Sequence, residues 1–169
     1  MFEVKQAELW HAEEIAGRLR QADKDEVWAS HHYKPYEAIV ISFEMSLFNH
    51  KRNKHFCWTM FWKGKPEAIF GLCCGCMLTG IYVPWLLGTD KIDEFKKSFL
   101  QASKRYVDIM LNDNGEYLVG YVDARNTKSI KWLKHIGFEV QDNAKPYGKD
   151  KLPFHFFSYP RFKGDVKCV

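Results

Sequence analysis

Asn126-Thr127-Lys128-Ser129-Ile130-Lys131-Trp132-Leu133-Lys134-His135-Ile136-Gly137-Phe138 holds a helix together with both of its boundaries. An asparagine oxygen accepts from the free amides of a first helical turn, so Asn126 reads as the N-cap. The apolar residues that follow form a stripe that packs on a sheet, and Gly137 turns the chain out of the helix into a strand over 138–140. Upstream, 116–122 reads as a strand. Before it, Ile92, Phe95, Phe99, Ala102, Tyr106 and Ile109 are spaced three, four, three, four and three apart, which is one face of a long helix. Thr89 or Asp90 is placed to cap that helix and Asn114-Gly115 to stop it. Further back lie a strand over 81–87 and a hairpin with arms 55–62 and 67–74, turning at Lys63-Gly64-Lys65-Pro66. Downstream, 153–159 supplies a closing strand with aromatic residues on both of its faces.

The N-terminal third is helical after a short opening strand. Residues 2–6 alternate as a strand does, and Leu9, Ala12, Ile15, Ala16 and Leu19 share one helical stripe over 8–20. Asp23, followed three residues later by Glu26, reads as a capping box that starts a second helix ending near His31-His32-Tyr33. Pro35 opens a third helix through Glu37 to Leu47, and Lys51-Arg52-Asn53-Lys54 makes a basic loop. Helices inserted in this way into a hairpin-rich sheet give a mixed α/β (α+β) chain.

Composition narrows the function classes. With 169 residues, 46% hydrophobic and 27% charged, the chain suits one domain with a sizeable core and not a disordered segment. A net charge of +4 is too mild to call for nucleic acid. The uncharged run from Ala68 to Thr89 is long enough to cross a bilayer, but Gly71, Gly75, Gly80, Pro84 and Gly88 break a single helix. Two buried strands turning near Thr79-Gly80 are expected instead, and no membrane span. Met1 to Trp10 contains Glu3, Glu8 and no apolar run, so no secretory leader and an intracellular setting are expected. Five cysteines, with Cys73, Cys74 and Cys76 crowded together, read as reduced thiols. His55 and Cys57 on the neighbouring strand invite a zinc reading, but Cys74 and Cys76 share a strand face that Cys73 does not; no metal is expected. There is no Gly-x-Ser-x-Gly elbow. Lys96-Lys97 and Lys104-Arg105 read as a solvated helix face.

The element order and the segment Asn126–Phe138 resemble the GNAT fold of acyl-CoA-dependent N-acetyltransferases, whose signature runs Asn, two residues, a small residue and a stripe ending in Gly-Phe. A closer resemblance covers most of the chain. Ala22-Asp23-Lys24-Asp25-Glu26-Val27-Trp28, Pro84-Trp85-Leu86-Leu87-Gly88-Thr89, Val122-Asp123-Ala124-Arg125-Asn126, Trp132-Leu133-Lys134 and Pro153-Phe154 look like the corresponding runs of a bacteriophage family. That family includes the small internal virion (core) protein of short-tailed coliphages. The resemblances imply a single GNAT-like domain over 1–169, with a mostly antiparallel central sheet and helices on both faces. They imply a virion-associated or assembly protein that binds a phage or host protein, in the bacterial host cytoplasm or the virion. The alternative is an active acetyl-CoA-dependent N-acetyltransferase acting on a host or phage protein or a small amine.

Chemistry of that kind needs backbone amides at a helix N-terminus to hold the pyrophosphate of acetyl-CoA. It also needs a proton acceptor for the amine and a donor for the thiolate. The resemblance places the phosphate loop over 87–94. Leu87, Gly88 and Thr89 are its cofactor-binding candidates, with Asn126 beside them. Only Gly88 offers a bare backbone, and Asp90, Asp93 and Glu94 repel a pyrophosphate. The strand 81–87 carries no carboxylate, and Leu133 stands where the acidic tyrosine usually falls. Tyr82, Tyr121 and His135 are therefore the catalytic candidates, with Tyr106 and Tyr117 behind them. On this reading the acetyl-CoA site is degenerate. Whether Trp85 or Tyr121 fills the notch between 82–87 and 117–122 decides if cofactor enters.

Overall fold

Runs of apolar residues broken by tight turns build the centre of one sheet. A computed structural model of the chain describes residues 1–48, 55–76, 80–114 and 117–160. The strands are β1 (Phe2–Gln6), β2 (Cys57–Trp62), β3 (Lys65–Cys76), β4 (Ile81–Gly88), β5 (Tyr117–Asp123), β6 (Glu139–Val140), β7 (Lys145–Tyr147) and β8 (Leu152–Tyr159). The helices are α1 (Leu9–Ala16), α2 (Gln21–His31), α3 (Pro35–Phe48), α4 (Lys96–Asn114) and α5 (Thr127–Ile136), with a 3-10 helix, Asp90–Phe95, leading into α4. The strand order is β1-β2-β3-β4-β5-β8-β6, with β7 paired to β8. Every pairing is antiparallel except β4 with β5, which is parallel. The fold is thus mixed α/β with a mostly antiparallel open sheet, as expected.

Strand alternation divides the core between the two faces. Cys57, Ile69 and Leu87 meet Ala12 and Ile15 of α1 and Ala38 and Ile39 of α3 on one side. Met60, Phe70, Tyr82, Leu118 and Val122 meet Phe99, Ala102, Val107 and Met110 of α4 and Leu133 and Ile136 of α5 on the other. Burying side chains of this size contributes about 1.5–3 kcal/mol each, which fixes the strand register. The Asn126–Phe138 segment forms the expected helix: the Asn126 side chain accepts from the Ser129 N–H at 3.2 Å, and Gly137 ends α5 at φ +106.

Several boundaries differ from expectation. The first helix stops at Ala16, and Leu19 instead forms an isolated antiparallel bridge with Thr89. The capping box at Asp23 does not form. α2 begins at Gln21 behind Arg20, leaving Asp23 and Glu26 three residues apart inside the helix, on one face. The Arg20 N–H is drawn to the Gly88 carbonyl at 2.9 Å, which sets the start of the helix earlier. Thr89 does cap, accepting from the Lys91 N–H at 3.2 Å, but it caps the 3-10 turn ahead of α4. The 153–159 strand does not close the sheet at an edge: β8 lies inside it, between β5 and β6, and this explains aromatics on both faces. β7 was not expected. The uncharged run from Ala68 forms β3 and β4, and no described helix is long and apolar enough to cross a membrane. The basic loop 51–54, Thr79 and Gly115 lie outside the described residues.

Candidate active site

Two parallel strands that part in mid-course make the site. β4 and β5 pair only at Ile81 with Tyr117 and Tyr82 with Leu118. Beyond these residues β4 stays on β3 and β5 stays on β8, so a gap opens between them. The carbonyls of Gly80 and Gly88 both bond on the β5 side, to Tyr117 N–H at 3.1 Å and Arg20 N–H at 2.9 Å. By alternation the carbonyls of Pro84 and Leu86 turn the same way, into the gap. A cavity of about 510 Å³ takes in the gap: Val83 to Leu87 and Gly120 to Val122 form its two rims. Val27, Ile41 and Met45 of α2 and α3 line it on one face, and Tyr106, Met110 and Trp132 of α4 and α5 on the other. The site lies toward the carboxyl ends of adjacent parallel strands, where open α/β sheets place ligands.

The wide end of the gap is spanned by α2. Asp23 Oδ2 accepts the Gly88 N–H of β4 at 2.9 Å, while the Arg20 guanidinium holds the same carboxylate at 2.7 and 3.1 Å. One turn along, Glu26 Oε2 accepts the Asp123 N–H of β5 at 3.3 Å and the Asn126 side-chain amide at 3.1 Å. Asp123 is in turn clasped by Arg125. Three carboxylates therefore meet here, and two have an arginine. Glu26 has no cationic partner among the described residues. Burial, with the Asp23 and Asp123 charges adding to it against the two hydrogen bonds, pushes its carboxyl up to about 7. Burial also raises Asp23, opposed chiefly by Arg20. Glu26 lines the cavity, and a carboxyl poised near neutrality is what proton transfer at an amine calls for.

The residues singled out from sequence scatter. Leu87, Asn126 and Tyr121 line the cavity, Tyr121 with its ring stacked on Tyr147 at 4.2 Å. Gly88 and Thr89 follow Leu87 outside the cavity lining, with their amides engaged. Tyr82 is buried in the core and does not line the cavity, and burial raises its phenol. His135 is exposed on the last turn of α5, off the cavity wall. The notch is not filled: the Trp85 indole donates to Ser46 Oγ at 2.8 Å, which carries it onto α3, and Tyr121 leans on Tyr147. Sequence reading missed Glu26. Its spacing from Asp23 was visible but was absorbed by the capping-box reading. Burial raises the Cys57 thiol, and raises Cys73 to about 11, so neither is a nucleophile at neutral pH. No group of three or more His, Cys, Asp or Glu side chains gathers to hold a metal among the described residues.

No protein-family model matches the chain and no curated protein does. Solved structures do. The ribosomal-protein-S18-alanine N-acetyltransferase from Escherichia coli superposes with a TM-score of 0.64 at 14% identity, covering 100% of this chain and 99% of that one. YncA, a putative acetyltransferase from Salmonella typhimurium with its cofactor acetyl-CoA, gives 0.68 at 10% identity, covering 99% of each. A GNAT superfamily phosphinothricin acetyltransferase from Sinorhizobium meliloti in complex with acetyl-CoA gives 0.68 at 13%, covering 98% of this chain and 91% of that one. The chain has the fold of the GNAT acetyltransferases. The phage resemblance rests on the sequence runs alone.

How well the site suits an acyl-CoA divides along the cofactor's length. The apolar cavity and the carbonyls along β4 suit an acyl-pantetheine arm. The loop after β4 does not offer the diphosphate a cradle. The Gly88 N–H goes to Asp23 and the Thr89 N–H to the Glu67 carbonyl at 2.8 Å. Lys91 N–H goes to Thr89 Oγ1 at 3.2 Å and Ile92 N–H to the Thr89 carbonyl at 3.3 Å. A Cβ at Gly88 would lie 2.5 Å from Ile92 Cδ1, the movable end of a side chain, and 3.1 Å from the Glu67 carbonyl oxygen.

Proposed function

We propose that the chain is an acyl-CoA-dependent N-acyltransferase that acetylates a primary amine, with Glu26 as the proton acceptor. The observation that carries this reading is a partly buried carboxylate, without a counter-cation among the described residues, on the wall of a cavity lined from both sides of the sheet. Such a cavity admits a thioester from one face and an amine from the other. The rims Val83 to Leu87 and Gly120 to Val122, with Asn126 and Ser129 at the head of α5, are the residues to hold the acyl-pantetheine arm. The chemistry supplied by a bound acetyl-CoA is an activated acyl thioester. The chain supplies position and proton transfer. An ammonium must lose a proton before its nitrogen lone pair can attack, and the ionised Glu26 takes it. The wall holds four phenols, Tyr33, Tyr106, Tyr121 and Tyr147, and of these Tyr106 of α4 and Tyr121 on the β5 rim are assigned to return a proton to a departing thiolate. Asn126 holds Glu26 through its side-chain amide while its oxygen caps α5, so the base is tied to a rigid helix.

Release of free thiol from acetyl-CoA in the presence of a panel of primary amines tests the reading. Amine-dependent, saturable release that disappears in Glu26→Gln is expected. No release from any amine, with no detectable acetyl-CoA binding, overturns it.

A further inference from the structure

We infer that the acceptor is a small monoamine with an apolar body, and this rests on the acyltransferase reading above. The charges around the cavity set how many ammonium groups it can hold. Its wall holds two acids, Asp23 and Glu26, one histidine, His31, which burial and then Lys149 hold toward the neutral form, and no lysine or arginine among the described residues. Arg20 already neutralises Asp23 at 2.7 Å, which leaves the cavity one uncompensated negative charge. Both hydrogen bonds to Glu26 go to Oε2. One ammonium therefore completes the site electrostatically. A second, as on a polyamine, finds no partner and would be desolvated at a cost.

The surroundings decide what the ammonium is attached to. On the α2–α3 face Val27, Tyr33, Ile41, Met45, Trp85 and Tyr121 line the cavity. These offer area to an alkyl or aryl group; the polar side chains on the same face are Ser30, whose Oγ already donates to the Glu26 carbonyl at 2.8 Å, His31 and Ser42. A protein N-terminus brings a peptide group directly behind its first residue, and each unmatched peptide group buried there is unfavourable. An arylalkylamine brings none.

Binding is measured by titration calorimetry without any acyl donor, near pH 8, with phenethylamine, its neutral counterpart 2-phenylethanol, and spermidine. Phenethylamine is expected to bind about tenfold or more tightly than either, from a charge-assisted hydrogen bond inside an apolar wall. In Glu26→Gln its advantage over the alcohol should vanish, with 2-phenylethanol affinity unchanged as proof that the cavity is intact. The inference is overturned if the alcohol binds as well as the amine, if spermidine is preferred, or if Glu26→Gln keeps the discrimination. Because no donor is present, failure of acetyl transfer leaves this selectivity standing. Transfer to spermidine but not to phenethylamine sinks the inference while the acyltransferase reading survives.

Discussion

Glu26→Gln should make the protein more stable and inactive at once, and the magnitude follows from the site. The Glu26 carboxyl lies at 4.5 when unfolded and is pushed up to about 7 by burial in the native state. At about 1.36 kcal/mol per pH unit this amounts to about 3 kcal/mol. The side chain is only partly buried, and solvent screening of its charge draws the figure toward about 1 kcal/mol. The sign is set by proton counts. Between 4.5 and about 7 the native state holds a proton that the unfolded chain has lost, so stability falls as pH rises through this window. The stabilising contribution is fully present below 4.5 and gone above about 7. Glutamine keeps an oxygen for the Asp123 and Asn126 donors and has nothing to titrate.

Urea unfolding followed by tryptophan fluorescence, across about pH 4 to about pH 8, gives the difference between wild type and variant. The two should match at the acid end, with the variant gaining about 1–3 kcal/mol at the alkaline end. Taking the difference cancels the titrating groups that do not interact with Glu26, leaving Glu26 and its coupling to Asp23 and Asp123. In the same preparations acetyl transfer should fall about 10²–10⁴-fold, the range for loss of a general base. Parallel stability curves would refute the buried-carboxylate reasoning. A folded variant with undiminished turnover would refute the catalytic role.

Asp23→Ala removes the partner of a largely buried Arg20 and leaves the Gly88 N–H without an acceptor. It should destabilise by about 3 kcal/mol in urea unfolding, against less than about 0.5 for the exposed Asp90→Ala. His11 is buried against Thr59, and burial lowers its imidazole below 6.5, so stability should drop as pH falls below 6.5; His11→Asn should flatten that limb of the same urea series. Because the loop after β4 offers no amide cradle, kcat/KM for acetyl-CoA should exceed that for acetyl-pantetheine by less than about tenfold. A ratio above about a thousandfold in the thiol-release assay would show that the diphosphate is gripped after all.

The sheet and its long helix were legible because their signals are local. The three-four spacing along α4, the turn at Lys63-Gly64 and the Asn126–Gly137 helix each depend on near neighbours in sequence. The site was legible only in part. Asn126 and Leu87 line it, but Glu26 lies 97 and 100 residues from the groups it bonds, and no local spacing encodes that. An acid three residues from another acid inside a helix has two outlets, a capping box or a shared tertiary face. The choice was made by Arg20 and Gly88, whose bond moves the start of α2 back and turns both carboxylates toward the sheet. Tyr82 and His135 were read as titrating groups by residue type. Strand alternation turns Tyr82 into the core, and helical phase turns His135 to solvent.

The two acids of α2 also account for the acidic, glycine-poor loop that first suggested a degenerate cofactor site. A buried amide must find an acceptor whatever the evolutionary history of the loop. Where a cofactor's diphosphate does not supply one, the protein must, and Asp23 does so at Gly88 while Thr89 and Glu67 serve the amides around it. With those donors closed to a ligand, no amide of the loop draws a diphosphate in against the charges of Asp90 and Asp93. They stabilise the first helical turn, and Asp93 also pairs with Lys128 across to α5. Loss of the cradle therefore bears on how tightly a nucleotide is held. It does not bear on proton transfer, because Glu26 sits one helical turn away and takes its support from β5 and Asn126 rather than from the loop. On the proposed reading, grip on a nucleotide and proton transfer at Glu26 are thus separable on the same helix face.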